Sequence, residues 1–239
     1  MVNTRITKAR VRHHFSYGVW KYVLLAVLAV VGWDLLYNMT AYRPPADKKL
    51  DVFVVSPGAD TERMHADLQE PLRAAFPDQE AFTFMNIGLG ADMDPNAVIQ
   101  FTTYVGAQQG DLFLMSMDLF RQYGRDVEGG MFLRLDDAIA SGLITIEGID
   151  IAPARFTPAG GEPGVYGIPA RTLYGLTEYL INNEHMVWAI PVYTGNPDNA
   201  ARLISFMIER FGTEKPEWYD EYQEEMRRQQ QEQMLGPPR

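Results

Sequence analysis

The chain has 239 residues, 31 acidic against 21 basic, with a formal net charge of -10 and no cysteine. Such a surface repels phosphate backbones, and no basic patch is interleaved with aromatics, so nucleic acid is excluded as an expected partner. Without cysteine there is no disulfide to staple a domain and no lipid-modified thiol to hold one to a membrane.

The chain opens on Arg5, Lys8, Arg10 and Arg12 with no acidic residue among them, and residues 1–18 are expected to form a basic arm that stays in the cytoplasm. Residues 19–39 read as a transmembrane helix. The run Tyr22–Trp33 carries no charge, and the extended stretch supplies the roughly 20 residues needed to cross about 30 Å of hydrocarbon. Lys21 and Asp34 sit near its ends, where they reach the headgroups, and Trp20, Tyr22, Trp33 and Tyr37 supply interfacial aromatics. A buried core helix competes with this reading, but nothing upstream offers a fold to pack against. A cleaved secretory signal also competes. Its cleavage site needs a pair of small residues, and Asp34-Leu35-Leu36-Tyr37-Asn38-Met39 is bulky throughout, while Ala41 is paired only with Met39. The expectation is therefore an uncleaved single-pass anchor in the cell membrane, with the bilayer as partner and the remaining chain extracytoplasmic. Asn38-Met39-Thr40 matches a glycosylation sequon, but it lies against the membrane and reads as chance.

Residues 40–49 form a linker in which Arg43-Pro44-Pro45 breaks helix. Roughly 190 residues remain, enough for one domain with a sizeable core, and no repeat of fixed period is present. Leu50–Val55 is a short apolar run of the kind buried on both faces of a sheet. Asp60 or Thr61 caps the next helix, where Met64, Leu68, Leu72 and Ala75 recur until Pro77, with Pro71 expected to kink or divide it. Ala81–Ile87 is a second strand, and after the loop Gly88–Asp94, Pro95 opens a helix with Val98, Phe101, Thr102 and Val105 on its inner face. Leu112–Met115 is a third strand, followed by a helix from Asp118 with Leu119, Phe120 and Tyr123.

Such a β-α-β-α-β-α series predicts parallel strands joined by right-handed crossovers. The expected fold class is α/β, a doubly wound, mostly parallel sheet with helices on both faces, spanning residues 50–212. Phe132–Asp137 leads through a short helix to Ile144-Thr145-Ile146, and Pro153–Gly164 is a loop rich in glycine and proline. Val165–Pro169 and Met186–Pro191 are expected as two further strands, and Asn196-Pro197 starts a helix with Ala200, Leu203, Ile204, Met207 and Ile208 on one face. Residues 213–239 form a polar tail. It reads either as a helix whose Trp218, Tyr222 and Met226 face docks on the domain or a partner, ending at Gly236-Pro237-Pro238, or as a frayed segment.

No catalytic set emerges. His65 and His185 stand apart, His13 and His14 lie on the basic arm, and no pair outside the membrane has metal-ligand spacing. His65 reads as a solvated helix residue, with no nucleophile motif beside it. Asp92 and Asp94 do not follow a calcium-loop series, and Gly88-Leu89-Gly90 lacks the third glycine of a phosphate cradle. No metal, no cofactor and no enzymatic activity are expected. In open α/β sheets ligands sit beyond the carboxyl ends of strands. Those ends carry Ser56 and Gly58, then Asn86, then Ser116 and Asp118, then Tyr193 and Thr194, and these are the candidate ligand-binding residues. Individually each also reads as a turn or cap residue.

Three stretches carry a family resemblance. Gly106–Met115 runs from helix through Gly110-Asp111 into an apolar strand; Tyr166-Gly167-Ile168-Pro169 forms a second motif. Trp188–Tyr193 with Asn196-Pro197-Asp198-Asn199-Ala200-Ala201 forms a third. Over roughly Asp51 to Phe211 the chain resembles the extracellular solute-binding proteins of ABC importers, which have the type 2 periplasmic-binding fold. That resemblance implies a ligand held between two lobes. Here only Leu133 to Gly164 stands where most of the second lobe belongs, and about 30 residues cannot build one, so a single lobe is expected. The function implied is a membrane-anchored extracytoplasmic solute-binding-like domain, associated with an ABC-type transporter permease or another membrane protein and holding a small molecule. The alternative is a non-catalytic accessory or assembly subunit of a membrane complex that has lost its ligand.

Overall fold

A computed structural model describes residues 8–42, 44–90, 94–125, 128–212 and 214–235, with the backbone alone for residues 9–17 and 229–235. Arg5, Arg43, Asp92 and the closing Gly236-Pro237-Pro238 lie outside the described residues, as do the side chains of His13 and His14. The chain forms two compact units, residues 1–43 and 44–239.

The first unit is a single helix, α1 (Lys8–Thr40). Its stretch Gly18–Thr40 is long and apolar enough to cross a membrane, and residues 19–40 are exposed. Leu24, Leu25, Val30 and Leu36 are all exposed. Near its end the polar side chains turn back on the helix: Asn38 Nδ2 donates to the Asp34 carbonyl at 2.9 Å and Thr40 Oγ1 to the Leu36 carbonyl at 2.7 Å.

In the second unit the elements are β1 (Lys49–Val55), α2 (Thr61–Ala75), β2 (Ala81–Ile87), α3 (Pro95–Gly106), β3 (Leu112–Ser116), α4 (Met117–Arg125) and α5 (Asp136–Ala140). They continue with β4 (Arg155–Phe156), β5 (Gly164–Val165), β6 (Ile168–Pro169), β7 (Met186–Ala189), α6 (Pro197–Phe211) and α7 (Tyr219–Leu235). Five strands form one sheet in the order β2-β1-β3-β7-β6. β1 pairs parallel with β2, Lys49 opposite Ala81 through Val55 opposite Ile87, and parallel with β3, Val52 opposite Leu112. β7 runs antiparallel to β3, with Leu114 opposite Trp188, and antiparallel to β6.

The sheet is thus mixed rather than mostly parallel. Two short 3-10 segments, Tyr174–Tyr179 and Asn183–His185, return the chain from the end of β6 to the same edge of the sheet, where β7 begins opposite Ser116. A strand entered from the edge that its predecessor left must run the other way, whereas a parallel one needs a crossover. The apolar run that suggested a parallel strand reports burial and not direction. Val187 and Ala189 enter one core and Trp188 and Ile190 the other.

Side-chain alternation along the strands feeds these two cores. Leu50, Val52, Val54, Leu112 and Leu114 pack with Met64, Leu68 and Leu72 of α2 and with Leu203, Ile204 and Met207 of α6. On the other face Phe53, Val55, Phe113 and Met115 pack with Phe101 of α3, Phe120 of α4 and Phe132. Full burial of one such side chain is worth roughly 1.5–3 kcal/mol. α2 is not divided at Pro71; it starts at Asp60, whose side chain accepts the Arg63 N–H at 3.0 Å. Asp94 does the same for α3, accepting the Asn96 N–H at 2.9 Å with Pro95 in the first turn. Asn196, at the start of α6, makes no side-chain cap; its Nδ2 donates to the Ala46 carbonyl at 2.7 Å and the Lys49 carbonyl at 3.1 Å.

Residues 133–165 send Leu135, Ile144 and Val165 into one core and Ala154 into the other, and polar bonds tie the rest of the segment down. Ile144-Thr145-Ile146 forms no strand, and the expected strand Val165–Pro169 is split: Gly164–Val165 pairs with Arg155–Phe156, while Ile168–Pro169 joins the main sheet. Arg134 meets Glu162 at 2.6 Å, and Asp136 accepts the Val165 N–H at 2.9 Å. At the other end of the chain α7 is helical, but its docked face is shifted by one residue from the expected one. Tyr219 and Gln223 are 6% and 2% exposed, against 49% for Trp218. Tyr219 Oη donates to Asn183 Oδ1 at 2.7 Å and Gln223 Nε2 to Asn182 Oδ1 at 3.1 Å.

Candidate functional site

Because β1, β2 and β3 run parallel, their carboxyl ends share one rim. Ser56, at the end of β1, is buried, and its N–H donates to the Ile87 carbonyl at 3.1 Å. Gly58 turns the chain with φ +72°, a left-handed conformation that favours glycine. Asn86 lies opposite Val54, and its Oδ1 is buried with no hydrogen-bond partner among the described residues. Ser116 Oγ accepts the Leu119 N–H at 3.3 Å, so it caps α4, and Asp118 is exposed in the first turn of that helix.

Two of these residues meet in a cavity of about 760 Å³. Ser116 and Asp118 line it with Arg121, Arg171, Glu184 and His185, while Ser56, Gly58 and Asn86 do not. Arg121 Nη2 reaches the Pro153 carbonyl at 3.4 Å. None of Asp118, Arg121, Arg171, Glu184 or His185 takes part in an ion pair among the described residues. Charges of both signs therefore face one space without neutralising each other. Of these, Arg171 had a signal in the sequence, since it follows an expected strand, whereas Glu184 and His185 depend on the direction of β7, which the sequence does not carry. β6 runs parallel to β3 through the intervening β7, so the residues after Pro169 come to the carboxyl rim, and antiparallel β7 brings the residues before Met186 to the same place.

A second cavity, about 680 Å³, shares Gly148, Ile149, Thr172 and Tyr174 with the first. Phe76, Leu143, Leu173 and Phe206 line it together with the charged Glu147, Arg202 and Glu209.

Tyr193 and Thr194 are placed elsewhere. β7 is antiparallel, so the segment after it lies at the amino ends of β1 and β3, on the rim opposite Ser116. There Tyr193 Oη donates to the Gln109 carbonyl at 3.1 Å and Thr194 Oγ1 to Asp111 Oδ1 at 2.6 Å. Asp111 also accepts the Asp51 N–H at 3.0 Å through Oδ2 and donates its own N–H to the Asp51 carbonyl at 2.8 Å. Burial, with the Asp111 carboxylate adding to it, pushes the Tyr193 phenol well above its ordinary pKa. These two residues clasp strands and do not join the rim residues. Among the described residues no group of three or more His, Cys, Asp or Glu is placed to hold a metal ion.

No protein-family model matches the chain, and no curated protein matches it. Among solved structures, it is similar to an extracellular solute-binding protein family 1 from Alicyclobacillus acidocaldarius, with a TM-score of 0.38 and 16% identity. The match covers 54% of this chain and 29% of that one.

Proposed function

We propose that the second unit is a solute-binding-like domain on the extracytoplasmic side of a membrane, tethered by α1 as an uncleaved anchor with its basic arm inside. It is not an enzyme; it holds a small charged solute at the carboxyl rim of β3 and β6 and works beside a transporter of the ABC type. The observation that carries this reading is the 760 Å³ cavity, whose charged side chains of both signs form no ion pair among the described residues. Its volume falls in the roughly 300–1,000 Å³ of small-molecule sites. A ligand that brings counter-charges can exchange the water on these groups for charge-assisted hydrogen bonds.

A second reading, an accessory or assembly subunit without a ligand, is favoured by the segment 133–165. It contributes the helix Asp136–Ala140, a 3-10 turn at Ala152–Ala154 and one two-residue ladder, and lines the cavity only through Gly148, Ile149, Asp150 and Pro153, which is little with which to enclose a ligand.

Thermal melts of the full-length protein in detergent, with a panel of sugars, amino acids, peptides and inorganic anions, separate the two. Ligand at 100 times its dissociation constant stabilises the folded state by about 2.7 kcal/mol. The solute reading expects at least one hit that Arg171→Ala abolishes, with affinity weaker than about micromolar because one side of the ligand stays in water. A panel without a hit leaves the accessory reading.

A further inference from the structure

We propose that the outer edge of β2 pairs with the same edge of a second copy of this chain, joining two sheets antiparallel about a two-fold axis. β2 ends the order β2-β1-β3-β7-β6, so it has β1 on one side and no strand on the other. Its register against β1 is unbroken from Ala81 to Ile87. Ser56 donates its N–H to the Ile87 carbonyl, so Ile87 turns its backbone groups toward β1, and by alternation Thr83 and Met85 do the same. Phe82, Phe84 and Asn86 then direct their N–H and C=O groups outward, where no backbone hydrogen bond from another segment reaches them among the described residues.

An open edge recruits another strand unless a lysine, a proline, a bulge or a very short length blunts it. Ala81–Ile87, of sequence AFTFMNI, has none of these devices and no charge. The opposite edge is blunted, since β6 has two residues and one of them, Pro169, has no N–H. With one open edge per chain, pairing of like with like closes at two copies, whereas a head-to-tail stack needs two open edges. The strand also suits its own copy. With Phe84 on the two-fold axis, Phe82 lies opposite Asn86 of the second copy, so the outward residues exchange N–H···O bonds pair by pair, and Thr83 lies opposite the second copy's Met85. No like charges meet, because the strand is uncharged and Glu80 before it falls opposite Gly88. A foreign peptide strand needs pockets for its alternate side chains, and no residue of β2 lines either cavity described above.

The chain has no cysteine, so introduced thiols report without background. Thr83→Cys and Met85→Cys, at partly buried positions, are placed in separate full-length chains with different epitope tags, and cells that express both are oxidised with copper phenanthroline. Residues opposed in a non-hydrogen-bonded pair have Cα atoms about 4.5 Å apart, within reach of a disulfide. On non-reducing gels the mixed disulfide should exceed by about tenfold or more the disulfide from either variant expressed alone, or from Gln100→Cys at an exposed position of α3. A mixed disulfide no stronger than the Gln100→Cys level overturns the inference. Equal disulfide from Thr83→Cys alone also overturns it, because those two positions are not opposed in this register. Should either variant fail to fold, the unmodified full-length protein decides: amide exchange at Phe82, Phe84 and Asn86 should be about tenfold slower in concentrated than in dilute samples, and exchange independent of concentration overturns the inference.

Discussion

Asp111 accepts hydrogen bonds on both carboxylate oxygens, from Thr194 and from the Asp51 amide, and so ties the segment after β7 to the amino ends of β1 and β3. Gly110 before it has φ +98°, and a Cβ there would run into the Phe53 ring. Gly110→Ala should therefore lower stability by about 2 kcal/mol or more, read from a denaturant titration; a loss under about 0.5 kcal/mol would show that the strand can shift away. Tyr193 allows a test by pH. Its folded-state pKa is raised above the ordinary value of about 10, so the folded chain favours the protonated phenol. That contribution is complete below about pH 10 and is lost as pH rises beyond it. Tyr193→Phe should cost about 1 kcal/mol at neutral pH through the lost bond to Gln109 and should flatten the alkaline fall. Some fall persists, because burial also raises Tyr166, Tyr179, Tyr219 and Tyr222. An unchanged alkaline slope would contradict the assignment. At this scale the cap of α2 was legible, with Asp60 one of two expected candidates, whereas Ser116, read as a ligand candidate before a helix expected from Asp118, caps a helix that starts at Met117. Tyr193 was misleading, because its side of the sheet depends on a strand direction that composition does not carry.

Helices with a long apolar period were readable in advance: α2, α3 and α6 each start at an expected cap or proline, and α2 and α6 bury most of the expected residues, whereas of the face expected for α3 only Phe101 is buried and Thr102 is exposed. The strands were readable as buried runs. Their pairing was not, since β7 looks the same from either direction and β4 and β5 are two residues each. The 3-10 segments between β6 and β7 are too short for periodicity, yet they bring Glu184 and His185 to the cavity. In α7, an every-four pattern through Trp218 pointed one residue away from the buried face. Tyr219→Phe removes the bond to Asn183 Oδ1, a buried acceptor, and should lower the melting temperature by the equivalent of about 1–3 kcal/mol. It should also make the segment after Pro216 more sensitive to protease. A variant that melts and resists protease like the parent would mean that α7 is not held there.

At the scale of the whole molecule, the chain divides after Arg43, within the stretch 40–49 expected as a linker. The orientation proposed for α1 rests on its basic flank. Protease added to intact cells should remove an epitope tag near the end of the chain and spare one near Met1; a protected carboxyl-terminal tag would reverse the topology. The central claim concerns the cavity, and hydrogen–deuterium exchange of the full-length protein with its best-binding solute tests it where it is made. Bound ligand should slow exchange at residues 116–121, 169–172 and 184–186, which surround the charged side chains, and leave residues 109–111 and 193–194 unchanged. Protection confined to the opposite rim around Asp111, or no protection at all, would contradict it.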